Sequence, residues 1–549
     1  MERLRPESLS KADHLVEQSN TLVRLATERL AEITNHGREI DNYQVECEQL
    51  AQWATFSYAA SSLLDYAKSL DPGSEWGDIY QDFALYFASR AFHKVSSEMS
   101  ICADFSQSED APFNILAENR SLLMHGLNSG LVRSIGQRVI EMRGVNNSPL
   151  DGELGNLRSS VREFTDKEIT GDAQEIHRQD LLVPEELIQK MAAQGFFGSS
   201  IPPQYEGADI GYPAMVISTE ELSAGSLVAG SLITRPEILS RALLKGGTEQ
   251  QRQLWLPKIA LGEAMVAISV TEPNVGSDVA SIECKATAGE LDGFPGYFIE
   301  GSKAWSTFAG RANILALLAR TGDISLGARG LSLFIVEKDS FDGHIFEQKQ
   351  QGGGSITGTA IPTPGYRGMH SYILAFDKYF VPQENLIGEE QGLNRGFYLQ
   401  MEGFAAGRLQ TAARATGVSQ AAMRKACDYS VGRKQFGKPI AEYQLTQYKI
   451  GVMAAKIAAA RQLTMMAANA METDEASASI DAAMAKLFAS DVAVQETQEA
   501  QIIHGAMGYS EEDPASRYVV DALVLPIFEG VKPTLELKLI ARGLLKSKE

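Results

Sequence analysis

The 549-residue sequence has only four cysteines, Cys47, Cys102, Cys284 and Cys427, and they form no CxxC pair. Their scatter argues against a disulfide framework and fits a reducing compartment. No apolar run approaches the ~18 residues of a membrane span, and Met1 to Ser8 leads into no apolar signal core. A cytoplasmic protein without a membrane partner is therefore expected. Basic residues are also scarce, with 50 Lys and Arg against 70 Asp and Glu and a formal net charge of −20. Such a chain repels phosphate backbones, so nucleic acid is not an expected partner. An anionic ligand would have to be held by local arginines, backbone amides or helix N-termini. The eight histidines form no HExxH or similar spacing, so no metal is expected.

What is present suits a large globular chain of several domains. Residues 1–152 read as helical, with apolar residues at three- and four-residue steps from Leu15 to Leu30 and from Leu50 to Leu70. Asp71-Pro72-Gly73-Ser74 breaks that pattern, and the turn-rich stretch from Asn146 to Gly155 looks like a linker. Residues 153–265 are again helical, interrupted at Ile201-Pro202-Pro203 and Tyr205-Glu206-Gly207. From 266 to 388 the pattern changes to short β-like runs: Met265 to Val270, Tyr297 to Glu300, Ile314 to Ala319 and Leu331 to Val336. Within this region Gly352-Gly353-Gly354-Ser355 lacks the ending of a phosphate-binding loop and reads as a flexible surface loop. Residues 389–549 are helical and alanine-rich, and Gln444 to Met471 is a long amphipathic run suited to a bundle. The predicted class is mainly α with a middle β-domain.

One internal similarity stands out. Ile40-Asp41-Asn42-Tyr43-Gln44 matches Ile440-Ala441-Glu442-Tyr443-Gln444 at an offset of 400 residues. Phe87-Ala88-Ser89-Arg90 matches Phe488-Ala489-Ser490-Asp491 at an offset of 401. Two matches at nearly equal offsets suggest that the N-terminal region is a degenerate copy of the C-terminal bundle, although two helical hairpins can also coincide by chance.

Four motifs follow in order. They are Val270-Thr271-Glu272-Pro273-Asn274-Val275-Gly276-Ser277-Asp278, Gly301-Ser302-Lys303-Ala304-Trp305-Ser306-Thr307, Arg433-Lys434-Gln435-Phe436-Gly437, and Gln501 to Gly508 followed by Ile527-Phe528-Glu529-Gly530. Each is weak alone, but their order, spacing and helix–strand–helix setting are specific together. Across about residues 156–549 this set resembles the acyl-CoA dehydrogenase family, as do Gly365-Tyr366-Arg367-Gly368, Phe376-Asp377 and Val381-Pro382. The resemblance implies a helical domain (153–265), a β-barrel-like middle domain (266–388) and a C-terminal four-helix bundle (389–549), preceded here by a helical extension (1–152). It also implies FAD-dependent α,β-dehydrogenation of an acyl-CoA thioester, with electrons passed to electron-transfer flavoprotein. An oxidase using dioxygen stays open.

The family's roles can be carried to matching positions. Thr271 and Thr307 resemble hydroxyls that bond the flavin ring, Thr307 near N5, with main-chain groups around Val270 and Ser306 doing similar work. Trp305 resembles the aromatic packed on the isoalloxazine, and Ser277 a serine on the CoA side. Arg433, Gln435, Phe436 and Gln444 resemble the segment reaching the FAD of a neighbouring subunit, where an arginine answers the pyrophosphate. Gln501 and Gly505 resemble residues bordering the adenosine. Glu529 resembles the base that removes the α-proton, with Gly530 and Arg408 on the substrate side. The family's alternative base position falls on Gly407, which cannot serve. Departures follow Glu529: Val531-Lys532-Pro533 replaces the usual Thr-Ser-Gln, and Phe528 replaces a tyrosine.

Within the family, the extension, the glycine-rich insertion and the chain length most resemble the branch oxidising methylsuccinyl-CoA to mesaconyl-CoA in the ethylmalonyl-CoA pathway. A free carboxylate on the substrate calls for a cation in the acyl pocket. The stretch from Thr219 to Leu244, expected as one helix lining that pocket, offers Arg235 and Arg241; Arg235 is preferred because it sits at the Ile233-Thr234-Arg235-Pro236 break. The shared FAD site implies a homo-oligomer. If residues 1–152 imitate the bundle they would cover the surface where two dimers meet, so a homodimer is expected. Two other readings stay open: a dehydrogenase of another short or branched acyl-CoA, and a flavin-bearing binding protein.

Overall fold

The computed structural model describes residues 5–102, 112–145, 148–150, 152–474 and 478–546. It divides into two compact units, Met1–Ser159 with Thr411–Glu549, and Ser160–Gln410.

Among its described residues the first unit is helical apart from one two-residue hairpin. Three long helices, α1 (Arg5–Ile33), α2 (Gln44–Ser69) and α3 (Glu75–Ser100), pack on one another. The predicted breaker at Asp71-Pro72-Gly73-Ser74 is the turn before α3, and the Ser74 hydroxyl caps that helix on Gly77 N–H. The Gln444–Thr473 and Ser479–His504 helices pair antiparallel, clamped by the ion pairs Lys449–Glu499 and Lys456–Glu496. The Ser129–Glu141 helix lies against Gln444–Thr473. Their approach requires glycine: a Cβ on Gly136 would stand 1.7 Å from the Gln447 carbonyl.

The two matching sequence segments have matching backbones. Gly37 and Gly437 are both left-handed, at φ +77° and +85°. Each is followed by a 3₁₀ turn, Ile40–Asn42 or Ile440–Glu442, and then by a long helix starting at Gln44 or Gln444. Phe87 and Phe488 meet edge to face with centroids 5.6 Å apart. The packing is also reciprocal. Ser129–Glu141 covers the Gln444–Thr473 helix, while the π-helical Leu535–Ala541 turn covers α2.

The second unit combines short helices with an eight-stranded sheet. Its strands are β1 (Val266–Ser269), β2 (Lys285–Leu291), β3 (Phe294–Thr307), β4 (Ile314–Arg320), β5 (Leu331–Glu337), β6 (Ile345–Lys349), β7 (Ser355–Ile361) and β8 (Ser371–Pro382). They run in the order β1-β4-β2-β3-β8-β7-β6, with β5 on β4. β4 is apolar on both faces and buried along its whole length. Leu318, Leu333 and Ile335 meet Leu239, Leu243, Trp255 and Leu256 of the preceding helices in one core.

Two expectations change, for Thr219 to Leu244 and for the linker. The stretch from Thr219 to Leu244 is not one helix: Gly211–Gly225 ends at an extended Ser226 (φ −155°), and Leu227–Leu232 and Thr234–Gly246 follow. The glycine-rich stretch lies at the surface, as the turn between β6 and β7, closed by Gln350 N–H on the Gly354 carbonyl at 2.7 Å. The expected linker already turns helical at Gly152, where Gly152–Glu168 begins; Asn146, Asn147 and Asp151 lie outside the described residues.

Candidate functional site

The motif residues fall on both units. On the second unit, the end of β1 and the end of β3 carry Val270, Thr271, Trp305, Ser306 and Thr307. A buried ion pair ties them together. Lys303 Nζ donates to Glu272 Oε1 and to the Val270 carbonyl, both at 2.9 Å, with the lysine side chain wholly buried. Glu272 accepts in turn from Glu283 N–H and Cys284 N–H at 2.8 Å. Burial pushes the Lys303 ammonium below its usual range, against the pull of Cys284 and Glu272. The pair fixes Thr271, whose carbonyl accepts Ala304 N–H at 2.8 Å.

Between Lys303 and Ser306 the pairing of β3 with β8 slips, and Trp305 takes φ +59°. A bulge of this kind re-aims a side chain. Here it turns the indole outward, 56% exposed, while Ser306 is buried with its hydroxyl 2.9 Å from that of Ser269. Thr307 Oγ1 stands 2.9 Å from Ser371 Oγ. Ser277 is exposed in the bend after the Glu272–Val275 bridge.

Arg235 lies in the first turn of Thr234–Gly246 and is 4% exposed. One nitrogen donates to the Ser231 carbonyl at 2.8 Å, and the guanidinium is 5.9 Å from the Tyr366 ring centroid. Among the described residues no carboxylate pairs with it. Arg241, by contrast, is paired with Glu237 at 2.8 Å and stacked on Tyr212. Arg408 is buried on the Gly396–Gly432 helix.

On the first unit, Lys434–Gln435 and Lys438–Pro439 form a two-residue hairpin whose tip, Phe436-Gly437, has φ +49° and +85°. Both central residues are left-handed, as a twist-matched hairpin turn demands. The tip projects Phe436 outward at 96% exposure, with Arg433, Gln435 and Gln444 also exposed. Gln501 Nε2 donates to the Gly508 carbonyl at 3.1 Å, and Gly505 turns the chain at φ +60°. Glu529 and Gly530 are consecutive left-handed residues, at φ +53° and +99°. A glutamate there is strained. Its Oε2 is buried without a hydrogen-bond partner.

Glu272, Lys303 and Ser371 are organisers that sequence reasoning passed over. The first two stand inside two of the four motifs, where charges amid apolar strand residues are the available signal. Histidine spacing carries no metal signature, yet the fold brings Asp180, His344 and His370 within 4.8 Å of one another. His370 Nε2 is 3.0 Å from Asp180 Oδ1, and Arg367 Nε is 3.4 Å from the same oxygen, so a cation already faces that carboxylate.

Groups on each unit separately suit parts of a flavin cofactor. The outward indole of Trp305 offers a face for a planar ring. The guanidinium of Arg433 makes no bond among the described residues, leaving it for a phosphate. Residues 152–263, 267–379 and 394–545 match the N-terminal, middle and C-terminal domain models of acyl-CoA dehydrogenases. The chain is 40% identical over 400 residues to a (2S)-methylsuccinyl-CoA dehydrogenase of Cereibacter sphaeroides, covering 72% of this chain and 70% of that one. It is 34% identical to a 3-(aryl)acrylate reductase of Clostridium sporogenes, covering 71% and 98%. Butyryl-CoA dehydrogenase from Megasphaera elsdenii matches at a TM-score of 0.64 and 29% identity, over 72% of this chain and 98% of that structure. The chain belongs to the acyl-CoA dehydrogenase family and is an FAD-dependent oxidoreductase.

Proposed function

We propose that the chain oxidises (2S)-methylsuccinyl-CoA to mesaconyl-CoA, with Glu529 taking the α-proton and Arg235 holding the free carboxylate. The observation that carries the substrate reading is Arg235. This buried guanidinium donates to the Ser231 carbonyl and faces the Tyr366 ring, but among the described residues it meets no carboxylate. A dicarboxylic acyl group would supply the missing anion. The 40% identity to the Cereibacter enzyme supports the same choice.

An α-proton of a thioester is too weak an acid for a solvated carboxylate to remove. The buried Oε2 of Glu529, which has no hydrogen-bond partner, supports its role as base, because it is left uncommitted to accept a proton at hydrogen-bond reach. Bound FAD supplies a hydride acceptor for the β-hydrogen. Thr307, with its hydroxyl paired to Ser371, Thr271 and the outward Trp305 would orient the ring. Ser277 would meet the CoA arm, and Arg408 and Gly530 the acyl end. Proton and hydride leave adjacent carbons, and their bonding electrons account for the new C=C bond and the two-electron reduction.

Arg433, Gln435, Phe436 and Gln444 are exposed on this subunit and would reach the FAD of a second one, with Gln501 and Gly505 beside the adenosine. The reciprocal packing of the N-terminal and C-terminal helices supports reading residues 1–152 as a degenerate bundle copy. Such a copy covers in one chain the surface where a second dimer would dock, which gives a homodimer. Electron-transfer flavoprotein is the proposed acceptor. A structure at TM-score 0.66 and 31% identity comes from work on the electron-transferring flavoprotein of Acidaminococcus fermentans, and a relative in Acetobacterium woodii is a subunit of a caffeyl-CoA reductase–Etf complex.

The test is anaerobic bleaching of the bound flavin. Methylsuccinyl-CoA should bleach it faster than butyryl-CoA or isobutyryl-CoA. Equal or faster bleaching by either monocarboxylic thioester would refute the substrate assignment.

A further inference from the structure

The base loop carries two left-handed residues in succession, the first of them the strained Glu529, and something must hold them. Its closure begins locally, with Lys532 N–H donating to the Pro526 carbonyl at 3.0 Å. Three side chains from one stretch of the Ser479–His504 helix then grip the loop along its length. Ser490 Oγ donates to the Leu525 carbonyl at 3.3 Å, ahead of Glu529. Lys486 Nζ donates to the Gly530 carbonyl at 2.6 Å, immediately after it. Asp491 Oδ2 accepts from Lys532 Nζ at 2.6 Å, further on.

Lys486 is the unusual member. Its side chain is wholly buried, and lysine is rarely found so deep. On the near side of the base, the wholly buried Arg414 lies with its guanidinium 4.6 Å from the Phe528 ring centroid. Glu529 is therefore fixed between neighbours that are each held by a buried cation. A charge-assisted bond to a carbonyl is about twice as strong as a neutral one, and it restrains the peptide that a left-handed Gly530 would otherwise leave free to rotate.

We propose that Lys486 is a positioning residue for the dehydrogenation: by pinning the Gly530 carbonyl, with Ser490 and Asp491 as auxiliary tethers, it aims the carboxylate of Glu529 at the α-carbon. It does not touch substrate or cofactor. This rests on Glu529 being the base. Misplacing a reacting group by about 1 Å costs on the order of 10²-fold in rate, so the tether should act on the chemical step and leave thioester binding alone.

The experiment uses the full-length, FAD-loaded protein and single-turnover flavin reduction by methylsuccinyl-CoA, expressed per bound flavin. Lys486→Met should lower the limiting rate by about 10²-fold, while the dissociation constant from spectral titration stays within about twofold. A purely structural lysine would lower flavin content or melting temperature yet leave the rate per bound flavin at the wild-type value; that result overturns the proposal. Should Lys486→Met not fold, Asp491→Asn takes its place. It loosens a part-exposed tether and should slow reduction by about threefold; a wild-type rate there also overturns the proposal. Glu529→Gln separates the two claims. If it reduces flavin at the wild-type rate, the base assignment itself is wrong. If it is inactive while Lys486→Met runs at full speed, only the positioning inference fails.

Discussion

Glu536 makes stability depend on pH in a direction opposite to that of most acidic residues. It lies in the π-helical turn that covers α2, with its side chain 3% exposed. Gln52 Nε2 donates to its carboxylate at 2.6 Å, and Lys532 is 3.9 Å away. Burial outweighs both and pushes the carboxyl from 4.5 up to about 7. A raised folded pKa means that the native state binds the proton more tightly than the unfolded chain. The contribution is complete below pH 4.5 and is lost as pH rises through about 7. Each tenfold difference in proton affinity between the folded and unfolded chain is worth about 1.4 kcal/mol, so the loss between pH 5 and pH 8 is about 2.5 kcal/mol. Glu536→Gln keeps the shape and the partnership with Gln52 but cannot ionise, so it should remove that slope. The assay is urea unfolding followed by helical circular dichroism at pH 5, 6.5 and 8, on wild type and variant. The variant should match wild type near pH 5 and exceed it at pH 8. A variant with the wild-type slope would refute the reasoning, because another group would then be titrating.

Glu529→Gln should retain the yellow flavin and abolish bleaching by any acyl-CoA; rapid bleaching would displace Glu529 as the base. Arg235→Ala should cut the rate with methylsuccinyl-CoA by about 10²-fold or more, since a buried charge contact is lost, and change butyryl-CoA turnover little, as read from rates on the two thioesters. Lys303→Met should strand the buried Glu272 and cost about 3–5 kcal/mol in unfolding free energy. Restoring the loss with the added change Glu272→Gln would confirm that the stranded charge is the cause, and an unaltered melting temperature in the single variant would exclude it. A solution mass of two chains is expected, and a stable tetramer would sink the account of the N-terminal helices.

Much of the fold is legible in the sequence because periodicity and local motifs carry it. The long helices of the first unit announce themselves in three- and four-residue steps, and β4 and β5 in short, predominantly apolar runs. β2, β6 and β7 do not, because their outward faces alternate small and polar residues and their pairing is set across the sheet. Thr219 to Leu244 reads as one helix, since nothing in the local sequence reveals that Ser226 is extended; packing decides it. The site divides along the same line. Trp305 and Glu529 stand in recognisable strings, but their usefulness comes from left-handed backbones at φ +59° and +53°. Those conformations are imposed from a distance: by the slipped pairing of β3 with β8 for Trp305, and by side chains of the Ser479–His504 helix around Glu529. Lys486 is about 40 residues from the proposed base in sequence and belongs to none of the four motifs. A motif fixes which groups take part in the chemistry. Their aim is set by buried charges such as Lys303 and Lys486, whose value depends on carbonyls that only the folded chain brings within reach.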